Sequence, residues 1–224
     1  MTALREVLTR LAHRLGYARG ELFNSDYLRS LGFSVKTVVD VGVNNGTKAL
    51  YDAFEDCRFV LVDPRRDAEA LLQDKPARYV FVNKGLAATG GRLILNEQDA
   101  GKTTFLERTA LTASPTNARY EVETITLDDL LDSIDCVPPI GIKIDTEGYE
   151  LEVMKGLTKH WDRVQFIICE ASIRRRFVDS YQMSELMSFM LEHDFMFFNF
   201  LNAANQRPRY YDVLFLPRSS HLFD

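Results

Sequence analysis

The sequence predicts a doubly wound α/β domain, on three observations. Apolar runs of strand length recur along the chain, amphipathic segments of helix length separate them, and the runs stop abruptly at Asp, Asn, Glu or Gly. Continuous Val/Ile/Phe runs suit strands covered on both faces, and alternation with helices implies right-handed crossovers in a parallel sheet. The 224 residues, 46% of them hydrophobic, are enough for one sizeable core and fit one domain.

Strands are expected at "KTVVDVG", "RFVLVD", "RYVFVN", "IGIKID" and "VQFIICE", with helices beginning near Thr47, Arg65, Asp128, Tyr149 and Tyr181. "RLILNEQ" reads as a strand added after the third βα unit. Residues 99–119 are polar, Thr-rich and weakly periodic, which suits a mobile functional loop or plain surface disorder. "FMFFNFLN" and "YDVLFLP" flank a polar turn and read as an antiparallel pair. Ahead of the alternation, Leu4, Leu8, Leu11 and Leu15 recur at helical spacing, and Ser25 is placed to cap a second short helix, "SDYLRSLGF". Residues 1–35 therefore read as a helical cap that packs on the domain or covers its site, and 36–224 as the globular unit.

Composition narrows the function. A net charge of -5 gives no basic field for a phosphate backbone, so nucleic acid is not an expected partner. Cys57, Cys136 and Cys169 are odd in number and far apart, as reduced thiols of a cytoplasmic protein would be. No apolar run reaches the ~18 residues of a membrane helix, and Arg5, Arg10 and Arg14 interrupt any secretory leader. His13, His160, His193 and His221 lack zinc spacing.

Ligands of open α/β sheets bind beyond the carboxyl ends of the strands, so the strand stops carry the chemistry. They are Asp40 to Gly46, Asp63, Asn83, Asp145 to Glu147, and Glu170. In "DVGVNNG", Gly42 and Gly46 permit positive φ and close backbone approach, a feature shared by NAD, FAD and S-adenosylmethionine (SAM) sites and by compact turns. Asp63, 21 residues after Gly42, can accept from both hydroxyls of a ribose. Asp40 favours SAM, because a carboxylate beside the turn repels a pyrophosphate and attracts an ammonium and a sulfonium.

"VVDVGVNNG", "LVDP", "VNKGLA", "TITLDDLL" and "KIDTEGYELEVMKG" together resemble the FkbM family of SAM-dependent methyltransferases over residues 36–170, and "YDVLFLP" is similar to that family's final strand. Val43, Met154 and Gly85 depart from the usual Ala, Leu and Ala. The resemblance implies a class I methyltransferase (Rossmann-like) fold, with a seven-stranded, mostly parallel sheet and an antiparallel last strand. It also implies methyl transfer, usually to a hydroxyl of a sugar, glycan or secondary metabolite. Asp40, Gly42, Asn44 and Gly46 would surround the methionine part of SAM, Asp63 the ribose, and Asn83, Gly85 and Leu86 the adenine. None of the motifs that carry the resemblance falls in the first 35 residues or the 99–119 segment, and acceptor choice is expected to reside there.

For transfer to an alcohol, acids sharing one cleft can raise a carboxylate pKa enough to accept the proton. Asp145, Glu147 and Glu170 are the candidates for base or substrate orienter, with Lys143 pairing one of them. A plainer reading gives Glu147 to the dipole of the following helix. Glu150 and Glu152 read as a solvated face opposite Lys155 and Lys159. Some O-methyltransferases hold Mg²⁺ with carboxylates at the positions of Asp145 and Glu170, a minority alternative to a metal-free site. Arg174 to Arg176 form either a solvated patch or a recognition site for an acceptor carboxylate or phosphate. Besides small-molecule methylation, two rivals stand: nucleic-acid N-methylation, which lacks its Asn/Asp-Pro-Pro-aromatic signature here, and a non-catalytic protein that keeps the fold to bind a partner.

Overall fold

The computed structural model describes residues 22–98, 102–203 and 207–224. The proposed Leu4–Leu15 helix lies outside them. The elements in chain order are α1 (Ser25–Ser30), β1 (Thr37–Val41), α2 (Lys48–Ala53), β2 (Arg58–Val62), α3 (Ala68–Leu71) and β3 (Tyr79–Val82). They continue with β4 (Gly85–Leu86), β5 (Gly91–Gln98), β6 (Thr103–Thr104), β7 (Thr116–Ile125), α4 (Leu127–Ser133) and β8 (Ile140–Ile144). The last are α5 (Glu150–Lys155), β9 (Val164–Ser172), α6 (Met183–Glu192), β10 (Phe195–Phe200) and β11 (Tyr210–Pro217).

The main sheet has seven strands in the order β10-β11-β9-β8-β1-β2-β3. β1, β2, β3, β8 and β9 pair in parallel, while β11 runs antiparallel to both β9 and β10. This is the expected doubly wound sheet with an antiparallel last strand, and all five expected parallel runs occupy their places. The period of two divides the interior. Val39, Val41, Ile142 and Ile144 face α4, α5 and α6 through Leu130, Leu151, Met154, Leu186 and Met190. Val38, Phe59, Leu61 and Phe166 face α1 and α2 through Leu28, Leu50, Tyr51 and Phe54. Both faces are covered, which is why the strands read as unbroken apolar runs.

Two expectations are corrected. Asn24, not Ser25, caps α1: its side chain accepts from the Tyr27 N–H at 2.9 Å. "RLILNEQ" is a strand, as expected, and joins a second sheet, ordered β4-β7-β5-β6. The supposed loop after it is mostly built: β6 pairs with β5 at Asn96↔Thr104, and β7 begins at Thr116 and runs antiparallel to β5. Between them, residues 107–112 fasten to the chain after β9. Val178 N–H donates to Glu107 C=O at 2.7 Å, Thr109 N–H to Arg176 C=O at 2.9 Å, and Thr112 Oγ1 to Arg176 C=O at 2.5 Å.

Candidate active site

The parallel strands all end at one rim, and their last residues meet there. β1 and β8 lie side by side in register, Asp40 opposite Lys143. The turn after β1 presses directly on the tip of β8: at Gly42, where φ is +74°, a Cβ would stand 1.9 Å from the Asp145 carbonyl oxygen. Only glycine satisfies both the backbone angle and that approach.

Lys143 organises the carboxylates beneath. Its buried Nζ donates to Gly42 C=O at 3.0 Å and lies 3.1 Å from Asp40 Oδ1 and 3.8 Å from Asp145 Oδ2. Burial alone would strip its proton, but Asp40 and Asp145 outweigh that and hold the ammonium above its ordinary range. Lys143 is thus a fixed cation, as its expected pairing role requires. Asp40 takes a second bond from Tyr51 OH at 2.8 Å and is wholly buried. It packs behind Lys143 and is not among the residues that line the cleft.

One polar cleft is lined by Gly42, Asn44, Asp63, Asp145, Glu147 and Glu170, together with Lys102, Thr103 and Tyr210. Asp63 Oδ2 accepts from Asn44 N–H at 3.1 Å and Oδ1 from Arg65 N–H at 2.9 Å, so the carboxylate braces the turn while facing the cleft. An adjoining apolar chamber is bounded by Val62, Pro64, Gly85, Leu86, Leu95 and Phe105, and shares Gly42, Thr103 and Asp145 with the cleft. Gly46 and Asn83 stand apart. A Cβ on Gly46 would meet Asp74 C=O at 2.5 Å, and the Asn83 amide donates to the carbonyls of Asp63 and Arg65, each at 2.8 Å. Both shape the turns around the site without lining it. A larger groove near Phe33, Pro139 and Val164 opens at the opposite ends of the strands, away from these groups.

The segment Asp145–Gly148 is pinned at every step. Glu147 and Gly148 are both left-handed, at φ +52° and +94°. Thr104 Oγ1 donates to Glu147 C=O and Ser180 Oγ to Gly148 C=O, both at 2.8 Å. The Glu147 carboxylate meets Arg108 at 3.0 Å, Lys102 at 3.4 Å and Arg176 at 3.8 Å. These partners, instead of a helix dipole, hold its charge. The solvated role expected of Glu150 is also corrected: it is fully buried, and Oε1 accepts from Thr146 N–H at 2.9 Å and Gly148 N–H at 3.0 Å. Glu152 does pair with Lys155 on the exposed face, at 2.5 Å.

Arg176 is 4% exposed, hydrogen-bonded to Glu170, and stacked 4.6 Å over the Tyr210 ring. It is therefore committed to the acidic cluster and is not offered to an acceptor, which corrects the triple-arginine expectation at that position. Burial, then Asp145, push the Glu170 carboxyl well up, with Arg176 opposing. Burial likewise raises Asp145, with Lys143 opposing and Glu147 reinforcing.

Asp145, Glu150 and Glu170 each bring one oxygen within 4.8 Å of the others. The donors nonetheless suit Mg²⁺ poorly: Glu170 is engaged by Arg176, and both Glu150 oxygens already have protein partners. No step is derived through a metal.

Sequence reasoning missed Lys102, Thr103, Arg108 and Tyr210. Tyr210 was findable, since the first residue of an antiparallel last strand must stand at the rim where its parallel neighbours end, here opposite Ser172. The other three sit in the stretch read as a loop.

A rim of strand-tip carboxylates surrounds a glycine turn, with Asp63 at the end of the second strand and an apolar chamber beside it, on the sheet of a class I SAM-dependent methyltransferase. The methyltransferase FkbM domain matches residues 27–197, and the chain belongs to that family. Hexuronic acid methyltransferase AglP of Haloferax volcanii is 27% identical over 135 residues, covering 58% of this chain and 54% of AglP. The matched part thus spans about half the length of that relative. Among solved structures, magnesium protoporphyrin IX methyltransferase of Synechocystis PCC 6803 with bound SAM is 9% identical, with a TM-score of 0.49, covering 86% of this chain and 76% of that one. TrmK of M. capricolum with S-adenosylhomocysteine is 8% identical, with a TM-score of 0.48, covering 88% and 68%.

Proposed function

We propose that the protein methylates an oxygen of a sugar, glycan or related small molecule, with Asp145 taking the proton. The observation that carries this reading is the convergence of Asp145 and Glu170, from adjacent strand tips, on the cleft that also contains Gly42, Asn44 and Asp63.

The residues suit the cofactor. Asp63 would hold the ribose, the chamber around Pro64, Gly85 and Leu86 the adenine, and the Gly42–Asn44 turn with Asp145 the methionine part. Bound SAM supplies an electrophilic methyl on a sulfonium. Asp145 leaves 38% of its side chain open, against 14% for Glu147 and 7% for Glu170, and so is the acid with most access to an acceptor. Burial raises its pKa, which brings it nearer the value a general base needs, while Lys143 keeps it oriented. Glu147 and Glu170, held by Arg108 and Arg176, orient the acceptor, and Lys102, with 55% of its side chain exposed, can meet an anionic one. A hexuronic acid unit is the first acceptor to try, on the likeness to AglP. The three cysteines are free thiols, in keeping with a cytoplasmic location, and no helix among the described residues is long and apolar enough to cross a membrane.

The test is label transfer from methyl-labelled SAM into a panel of glycans with and without hexuronic acid, read by mass spectrometry. Label on an acceptor oxygen is expected. Folded protein that fails to bind SAM would overturn the reading in favour of a non-catalytic partner-binding role.

A further inference from the structure

Glu150 is a carboxyl in the core with no solvent contact. Its Oε1 accepts two backbone N–H groups, from Thr146 and Gly148. Its Oε2 lies 2.9 Å from the hydroxyl of Tyr181, and that same hydroxyl lies 3.0 Å from the backbone carbonyl of Glu170. A phenol has one proton, and a carbonyl can only accept. If Tyr181 donates to Glu170, Oε2 and the hydroxyl oxygen face each other, and the contact is a hydrogen bond only when Oε2 carries a proton.

We propose that Glu150 is a neutral carboxylic acid whose proton runs to Tyr181 and on to the Glu170 carbonyl, making it a positioning residue that sets the Asp145–Gly148 loop against β9. The chain Oε2–H to Tyr181 O–H to Glu170 C=O satisfies each group once, while Oε1, as the carbonyl oxygen, takes both loop amides. The loop so held carries Asp145 and Glu147, and the strand it is tied to carries Glu170, so one proton couples the three acids of the cleft.

The surroundings agree. Asp145 and Glu170 are the acids that act on Glu150, Cys169 and Tyr181 pack beside it, and Asp212 lies beyond them; Arg176 is the cation that acts on it, and both Arg176 and the Lys143 beside Asp145 are already bonded to another carboxylate. Burial, then Asp145, lift the Glu150 carboxyl from an ordinary 4.5 to about 7, against the pull of its backbone and Tyr181 hydrogen bonds. Tyr181 is pushed well up by burial and by Glu150, so the phenol keeps its own proton.

Glu150→Gln reproduces the neutral acid: its oxygen accepts from the two amides and its NH₂ donates to Tyr181. Unfolding stability of wild type and Glu150→Gln is compared from pH 4.5 to 8, which needs no activity. Wild type should lose stability relative to the Gln variant as pH rises from about 5 to about 7 and then level off. A constant difference across that range would overturn the proposal. Infrared spectra of wild type and Tyr181→Phe give a second reading that does not depend on the Gln variant folding. A protonated carboxyl C=O band that shifts when the phenol is removed is expected, and its absence below pH 6 counts against the idea.

The kinetic arm alone rests on the methyltransferase reading. Glu150→Gln should hold kcat within about twofold at pH 6 and lose the alkaline fall in rate, whereas Glu150→Ala should cost about tenfold or more in kcat through loop misplacement. An alkaline fall that survives in Glu150→Gln would overturn the positioning role. No turnover by any form, with the stability result as expected, would fault the activity and leave the proton in place.

Discussion

At the scale of single residues, position relative to a strand end decided what could be read. Gly42, Asp63, Asp145, Glu147 and Glu170 stand where apolar runs stop, and the topology brings all five to one cleft. Asp40 lies one residue inside its run, and a residue there can point down instead of out; it is buried under Lys143. Glu150 was misread because Glu150, Glu152, Lys155 and Lys159 look like one charged helix face. The sequence carries no mark that the first of them enters the core. Gly42→Ala should be severely disruptive, since the new Cβ meets Asp145 C=O at 1.9 Å and φ is positive; a loss of ~2 kcal/mol or more is expected by denaturant titration. Asp145→Asn should abolish label transfer, while SAM affinity, by calorimetry, falls only by what the lost charge beside the methionine part costs. Asp63→Ala should do the reverse first, weakening SAM by about tenfold or more through the lost charged hydrogen bonds.

Among elements, the strands of the main sheet were legible because burial on both faces leaves long apolar runs, whereas β7 was hidden. Its residues alternate between exposed and half-buried, as in "RYEVE", so the strand shows period two with little apolar content. The same weak signal hid the docking of residues 104–112, where the stabilising groups are Thr hydroxyls and backbone amides that pair far along the chain. Two ion pairs on this sheet should behave oppositely. Arg92–Glu121, 2.7 Å apart but with side chains 70% and 52% exposed, should contribute little, so that replacing Arg92 by Ala leaves the melting temperature nearly unchanged. Arg108→Ala strips the closest cation from Glu147 and should lower both the melting temperature and turnover.

For the whole molecule, the cleft concentrates charge in a chain of net -5 and makes stability pH-dependent. Asp145, Glu150 and Glu170 are all raised, burial being the largest cause for each. An acid whose pKa is higher folded than unfolded keeps its proton in the native state after the unfolded chain has released it, so stability falls as pH climbs through that interval. For Glu150 the interval runs from 4.5 to about 7. Lys143 acts at the other end: raised in the fold, it contributes below its ordinary value and is lost only in strong alkali. Thermal melts should therefore show a maximum on the mildly acidic side and a decline towards pH 7.5. A profile that rises steadily from pH 5 to 8 would contradict the carboxyl assignments.

Residues 107–112 are stitched to 175–178 by two backbone bonds and by the hydroxyls of Thr109 and Thr112, the acceptors being backbone carbonyls on both sides. Transplanting the accessory hairpin from a relative to change which acceptor is taken would keep the backbone stitches but lose those of the Thr109 and Thr112 hydroxyls wherever the relative lacks them. The exchangeable cassette is accordingly discontinuous, 91–125 together with 174–178, and a graft of the first piece that lacks Arg108 should fold yet leave Glu147 with Arg176, 3.8 Å away, as its remaining guanidinium.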